Sequence, residues 1–416
     1  MIRASQLGAL SDALASVLPL AEPADATLRN FFRRHPGLGQ RDRAFVAEGT
    51  FATLRRLRSL SAQAKSLSPR SLAIAVTLRE LGISLRDLEP VLTSEERTWA
   101  RTFKGYRPEL KPAEAAEVPD WLWTKLDQSF AAHDRDALVR SWLSPAPLDL
   151  RVNPLKIARD EARAELARSD IATEPTPYSP WGLRAEGKPS IQQHPLFLSG
   201  SIEVQDEGSQ LLGLIVAPKR SEMVVDFCAG SGGKTLLLGA IMRSQGRLYA
   251  FDVSAGRLAR LKPRLARSGL SNVQPFLLND ERDTKVKRLA GKIDRVLVDA
   301  PCSGFGTLRR NPDLKWRQTA EGIDELAAKQ ARILKSAATL VKPGGRLVYA
   351  TCSVLREENE AIVESFLESH PQFALGDAAA ELKRANVALD TGAMLKLYPH
   401  VHGCDGFFAA ILDRAA

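Results

Sequence analysis

The sequence predicts an α/β protein with three parts: an all-helical N-terminal domain, a small α+β adaptor, and a C-terminal parallel sheet flanked by helices. Three observations carry that prediction. From about residue 201, short runs rich in branched and aromatic residues alternate with helical stretches, which is the pattern of βαβ units. Over the first hundred residues, apolar side chains recur at helical spacings instead. At 416 residues the chain is also longer than one ordinary domain.

Residues 1–105 read as helices. In QRDRAFVAEGTFATLRRLRSL, the residues Ala47, Phe51, Leu54 and Leu57 share one face, and Arg41, Arg43, Arg55, Arg56 and Arg58 cluster around the two ends. Those arginines make either a solvated helix surface or a phosphate-contacting face. Ser68-Pro69 caps and opens a further helix, which stops at Gly82. Residues 106–119 are rich in Pro, Ala and Glu and read as a linker. Residues 120–200 form the adaptor: a helix restarting after Pro119, a short strand in PLDLRVNPLK, a polar helix in ARDEARAELARSD, and a loop-rich stretch. Residues 201–416 hold the strands EMVVDFCAG, GRLYAFDVS, NVQPFLLND, IDRVLVDAP, GRLVYATCS and GFFAAILDR.

Composition narrows the partners. The net charge is +9, and the first 110 residues hold 17 Lys and Arg against 11 Asp and Glu. A polyanion such as nucleic acid is the first partner to expect. No run approaches the roughly 18 apolar residues of a membrane span. Asp12 interrupts the apolar N-terminal stretch, so a cytoplasmic protein is expected rather than an exported one. The four cysteines, Cys228, Cys302, Cys352 and Cys404, show no Cys-x-x-Cys spacing. Neither a metal site nor a disulfide framework is expected, which leaves the thiols for chemistry or packing.

In an open parallel sheet, ligands bind outside the carboxyl ends of the strands. Asp226, Asp252, Asp280, Asp299, Cys302 and Cys352 all fall at such ends. DFCAGSGGKT (226–235) is a glycine-rich strand-to-helix loop. A phosphate-binding loop requires Gly where Cys228 stands, and a dinucleotide fingerprint requires a third Gly where Thr235 stands. S-adenosylmethionine has no phosphate to cradle, so it is the donor that the loop admits. Cys228, Ala229, Gly230, Ser231, Gly232, Gly233 and Lys234 are then candidate cofactor-binding residues. Asp252 is placed for the ribose hydroxyls and Asp280 for the adenine amino group.

DFCAGSGGKT, DAPCSGFG, YATCS and DGFFAAIL, in this order, resemble the cytosine-5 RNA methyltransferases of the RsmB/NOL1/NOP2/Sun family. VQDEGSQL (204–211) and LRVNPLK (150–156) are similar to that family's upstream segments, so the likeness covers roughly residues 145–416. The helical region, with RDRAFVAEGTFATLRR, resembles the NusB-like domain of the RsmB branch. The resemblance implies a seven-stranded Rossmann-like methyltransferase sheet, S-adenosylmethionine as donor, and a cytosine in structured RNA as acceptor. The NusB-like likeness points to small-subunit ribosomal RNA, bound by a monomer. Two positions depart from the pattern. Ser231 stands where the family has Pro, and Asp280 follows Asn279 where the family has Gly, with Asp283 as an alternative adenine contact.

Cytosine C5 attacks a methyl sulfonium poorly until a thiolate adds to C6, and sulfur both attacks and leaves well. By resemblance, Cys352 is the nucleophile and Cys302 the cysteine that assists release. Asp299 then meets the cytosine N3/N4 edge as well as lying in the donor site, and Lys234 meets the carbonyl or the thiolate. In TLRRNPDLKWRQ (307–318), Arg309, Arg310, Lys315 and Arg317 surround Trp316, a pattern that suits unpaired RNA. The rival readings are a DNA cytosine methyltransferase, a methyltransferase acting on tRNA, and a ribosome-assembly factor without catalysis. In the DNA enzymes the nucleophile is the Pro-Cys cysteine and a Gln follows it, whereas Ser303 follows here.

Overall fold

Helices Ala4–Val17, Ala24–Arg34, Gln40–Arg55, Leu57–Ala64, Pro69–Arg79 and Ser94–Gly105 build the N-terminal part of the computed structural model, which describes residues 2–416. Their apolar stripes meet in a core around Leu7, Leu10, Leu14, Phe31, Leu54 and Leu72. The Ser68 hydroxyl accepts from the Ser71 N–H at 3.1 Å, and Pro69 occupies the first turn, as the capping signal predicts. Four of the five arginines that the sequence left open are internal ties, while Arg41 is exposed. Arg43 donates to the Leu38 carbonyl at 2.8 Å, and Arg56 pairs with Glu80 at 2.9 Å. Arg58 donates to the Val118 carbonyl at 2.8 Å, and Arg55 to the Arg309 carbonyl at 3.1 Å.

The chain divides into two compact units, Met1–Pro145 with Thr307–Ala320, and Ala146–Gly306 with Glu321–Ala416. Two sequence expectations are corrected in the first unit. Residues 106–119 are not a free linker, because they contain the short helix Pro112–Ala115 and bury Glu117. The Glu117 carboxylate accepts from the Arg58 and Ser59 N–H groups at 2.9 and 3.3 Å, and so caps the helix Leu57–Ala64 from a distance. Residues 307–318 are not an exposed basic loop. Lys315 is 1% exposed and donates to the Arg55 carbonyl at 3.0 Å, while the Trp316 indole donates to the Leu54 carbonyl at 2.7 Å. Burial lowers the Lys315 pKa to about 7, against the opposing pull of the Glu117 charge. Helices Asp120–Ser129 and Ala132–Ser141 also join this compact unit, which runs to Pro145.

The second unit carries two sheets. Strands β1 (Leu148–Val152), β2 (Thr173–Pro175), β3 (Gly182–Ala185) and β4 (Ile202–Val204) pair antiparallel in the order β2-β3-β1-β4. Leu150 and Val152 pack with Leu183 and Ile202, whereas Asp149 and Arg151 alternate to the other face. The larger sheet contains β5 (Met223–Asp226), β6 (Arg247–Asp252), β7 (Val273–Leu277), β8 (Ile293–Asp299), β9 (Val341–Thr351), β10 (Phe373–Leu375), β11 (Leu395–Leu397) and β12 (Phe407–Arg414). Its order is β10-β12-β9-β8-β5-β6-β7, with β11 added to β12. The sheet therefore has eight strands where seven were expected. It is mixed, because β12 runs antiparallel to β9 and also to β10 and β11. Strand order reverses between β5 and β8, so the crevice for a ligand opens above those two strands. No helix among the described residues is long and apolar enough to cross a membrane.

Substituting Glu117 by Ala removes a buried acceptor from two helix N–H groups. It is expected to lower stability by about 1–3 kcal/mol, read as an earlier urea transition of the helical unit. An unchanged midpoint would mean that the carboxylate caps nothing.

Candidate active site

The donor loop is built at the exit of β5. Asp226 accepts from the Thr235 hydroxyl at 2.6 Å; its other oxygen is buried without a hydrogen-bond partner, and burial raises its pKa to about 7. The loop turns through Gly230 (φ 58°) and Gly232 (φ 86°), in the left-handed region that glycine tolerates. Gly232 caps the helix Gly233–Ile241, and a Cβ there would lie 2.1 Å from the Leu261 side chain. At Gly230 a Cβ would meet nothing within 4 Å, so the loop faces open space at that point. The Asp252 carboxylate holds the loop from β6, accepting from the Gly230 and Ser254 N–H groups at 2.8 and 2.7 Å. Ala229 donates to the Phe251 carbonyl at 2.8 Å, and the Cys228 thiol turns away to pack against the core under the sheet. Burial pushes that thiol up. Cys228 and Ala229 therefore offer the site backbone rather than side chains.

The loop is braced from outside by residues the sequence reading missed. Arg264 donates to the Ser231 carbonyl at 2.7 Å and to its hydroxyl at 3.2 Å, and Glu203 of β4 grips Arg264 in turn at 3.0 Å. Arg151 of β1 donates to the Gly233 carbonyl at 2.7 Å, and burial lowers its pKa to about 10. Only Arg151 lies in one of the upstream segments quoted above, LRVNPLK; Glu203 directly precedes VQDEGSQL, and Arg264 belongs to the helix Ala255–Ser268.

The two acids that follow β7 are held differently. Both oxygens of Asp283 accept N–H groups, from Asn279 at 3.0 Å and Lys285 at 2.9 Å, as the cap of the helix Thr284–Arg288. Asp280 is exposed, and one of its oxygens accepts from Arg282 N–H at 2.7 Å. Val253 and Leu277, at the exits of β6 and β7, are exposed apolar residues. Open space over Gly230, buried Asp252 behind it and an apolar surface toward Asp280 fit a nucleoside joined to a short aliphatic chain, the shape of S-adenosylmethionine.

The candidate reactive groups lie across the switch point. Lys234 donates to Asp299 at 2.8 Å, and its Nζ stands 5.6 Å from the Phe407 ring centre. Burial lowers the Lys234 pKa, but the charge and hydrogen bond of Asp299 outweigh it and the net shift is upward. Asp299 lies opposite Ala350 in the β8–β9 register, so the two cysteines leave adjacent strands three and two residues further on. Their sulfurs are 3.3 Å apart, and the Cys352 N–H points at the Cys302 sulfur at 3.3 Å. The hydrogen bond to Cys352, then burial, then the charge of Cys352 and last that of Glu358 hold the Cys302 thiol well above its ordinary pKa. Gly306 N–H donates to the Cys352 carbonyl at 2.8 Å and closes the two loops on each other. No group of three His, Cys, Asp or Glu among the described residues is arranged to hold a metal ion.

A glycine loop at a sheet's switch point, admitting a ligand without a phosphate cradle, defines a Rossmann-like methyltransferase. The family model for 16S rRNA methyltransferase RsmB/F matches residues 213–413, and that for the ferredoxin-like domain of RsmF/B-like methyltransferases matches residues 118–192. A relative from Synechocystis sp., described as a probable ribosomal RNA small subunit methyltransferase B, is 33% identical over 94% of this chain and 95% of its own length. One of the same description from Bacillus subtilis is 32% identical over 78% of this chain and 72% of its own. Among solved structures, PH0851 superposes with a TM-score of 0.82 at 26% identity, covering 100% of this chain and 99% of its own. A methyltransferase homolog protein from Pyrococcus horikoshii gives 0.62 at 28% identity, over 73% of this chain and 100% of its own. The chain belongs to the RsmB/F family of 16S rRNA methyltransferases, whose methyl donor is S-adenosylmethionine.

The two loop glycines give opposite tests. Gly232→Ala is expected to destabilise the protein by about 1–3 kcal/mol, because Leu261 must move. Gly230→Ala places its methyl in open space and is expected to cost only about 1–2 kcal/mol of backbone strain, yet to weaken donor binding roughly tenfold or more. Calorimetry finding unchanged donor affinity in Gly230→Ala would show that the donor does not approach there.

Proposed function

We propose that the protein methylates C5 of a cytosine in small-subunit ribosomal RNA, with Cys352 as nucleophile and Cys302 assisting release. The observation that carries this reading is the pair of sulfurs 3.3 Å apart at the exits of β8 and β9, beside the Lys234–Asp299 ion pair. One cysteine at a strand end is most simply a small buried hydrophobe. Two of them in contact, next to a donor loop, are a reaction centre.

The loop backbone at 228–234, with Asp252 and Asp280, would hold S-adenosylmethionine, which supplies an electrophilic methyl group. The Cys352 thiolate adds to C6 of the cytosine, which breaks the ring's aromaticity and moves an electron pair toward C5. Asp299 hydrogen-bonds the N3/N4 edge, and the Lys234 ammonium offsets the charge that develops at the carbonyl. Once C5 carries the methyl, its proton leaves to solvent water on the Cys302 side, the C5–C6 double bond re-forms and the C6–S bond breaks. The electron pair of that bond returns to Cys352. The basic helical unit, in its NusB-like resemblance, adds RNA affinity and no chemistry. The relatives' descriptions as small-subunit ribosomal RNA methyltransferases support that choice of substrate.

Cysteine variants assayed with 16S rRNA and S-adenosylmethionine test the reading. Cys352→Ala is expected to lose activity by about 10³-fold or more and to form no covalent RNA complex. Cys302→Ala is expected to accumulate a donor-dependent adduct that survives a denaturing gel, and the double variant to form none. Bisulfite sequencing of the product then names the base. Trapping by Cys352→Ala instead would exchange the two roles, and methylation at an atom other than cytosine C5 would refute the reading.

A further inference from the structure

Beneath the two cysteines lies a carboxylate that the reaction as written does not use. Glu358 belongs to the short turn Arg356–Glu358 and is fully buried. One of its oxygens accepts from the Ser303 N–H at 2.8 Å and the Gln330 amide at 2.9 Å. The other accepts from the Ser303 and Ser353 hydroxyls, each at 2.5 Å. Ser303 follows Cys302, and Ser353 follows Cys352. A single anion thus binds the residue after each cysteine, and none of the four donors carries a charge.

We propose that Glu358 is the positioning residue of the pair: it locks the two cysteine turns at one spacing and, as a buried anion, directs the thiolate to Cys352. Two sulfurs 3.3 Å apart share one proton when the pair carries one negative charge. Glu358 bonds the Ser303 N–H as well as the Ser303 hydroxyl on the Cys302 side, but only the Ser353 hydroxyl on the Cys352 side. Its charge therefore adds to the hydrogen bond and burial that already disfavour a thiolate on Cys302. On the other side, the charge interaction of Lys234 is with Cys352. The remaining titratable groups that face the pair are Tyr349 of β9, whose hydroxyl donates to the Glu358 carbonyl at 2.6 Å, and Asp299, bound to Lys234. The nucleophile is chosen by this field, because both cysteines are half-buried at strand exits. This inference deepens the proposed reaction and rests on it for its consequence, but thiol reactivity tests it without RNA.

The experiment alkylates the full-length protein with iodoacetamide from pH 6 to 9 and follows each cysteine-containing peptide by mass spectrometry. In the unmodified protein Cys352 is expected to react faster than Cys302 at pH 7. Glu358→Gln keeps the shape and removes the charge, and is expected to raise the rate at Cys302 relative to Cys352 by about tenfold, one pH unit in midpoint. Glu358→Asp keeps the charge and shortens the side chain, and is expected to restore at least half of the preference. A purely steric role predicts the reverse ranking of Gln and Asp, and that ranking, or an unchanged ratio in a folded Glu358→Gln that binds donor normally, would overturn the proposal. Should Glu358→Gln not fold, Ser303→Ala is read instead. It leaves the anion with one donor fewer and is expected to slow Cys302 severalfold further, while an unchanged ratio there also overturns the proposal. A preserved reactivity pattern in a protein that methylates no RNA would refute the proposed function and leave this inference standing.

Discussion

The site depends on the register of β8 against β9. Those strands are parallel neighbours, and Asp299 faces Ala350 across the ladder. A parallel ladder brings the carboxyl ends of both strands to one edge. A slip of one residue would turn every side chain of the strand to the other face of the sheet. The long apolar runs of both strands, buried on each side, resist that slip. From this one alignment follow the contact of the two sulfurs, the position of Asp299 opposite Lys234 of the donor loop, and the shared carboxylate beneath the two serines. The candidate site is assembled from residues 50 positions apart in sequence, yet each sulfur is held by a turn directly continuous with a core strand.

Much of this was legible before any coordinates. The six strand-like runs of the C-terminal half are strands, because alternating βαβ patterning leaves few alternatives. Their ends collect the donor loop, Asp252, Asp299, Cys302 and Cys352, because a parallel sheet offers one edge for such residues. The short strands β10 and β11 escaped notice, each being three residues long and carrying no periodicity. The internal pairing of Arg55, Arg58, Glu117 and Lys315 escaped for another reason. A charge in a helix or loop looks solvated in sequence, and whether it is buried depends on a partner that may be 260 residues away, as for Lys315 and Arg55. Glu358 was hidden in the same way. It sits in the polar turn REEN, where a surface role is the default reading.

The segment Thr307–Ala320 shows how sequence proximity misled. It follows the Cys302 loop directly, so its basic and aromatic residues read as part of the same RNA-facing surface. Instead it packs into the helical unit, and the chain then returns through the helix Ala320–Ala338 to the sheet. Its Asp313 carboxylate accepts from the Ala24 N–H at 3.2 Å at the start of a helix nearly 300 residues earlier in sequence. Lys315 and Trp316 hold carbonyls of the same helical unit. The aromatic between basic residues is therefore a packing wedge. The physical distinction is that Asp313, Lys315 and Trp316 find backbone partners inside the fold, whereas residues kept for a polyanion leave their charges open to it.

The departure at Ser231 illustrates how a loop shape survives a change of residue. Proline restricts a turn by fixing its own φ. Serine gives up that restriction, and the structure replaces it with a hydrogen-bonded clamp. Arg264 holds both the carbonyl and the hydroxyl of Ser231, and Glu203 holds Arg264 and Arg267 together. Glu203 is buried on the small sheet, so the clamp is anchored in a rigid element and not in another loop. A planar guanidinium gripped by a carboxylate has little freedom left to lose. The loop is thus kept rigid by residues of β4 and of the helix Ala255–Ser268, and the open space over Gly230 stays clear without any side chain of the loop itself entering it.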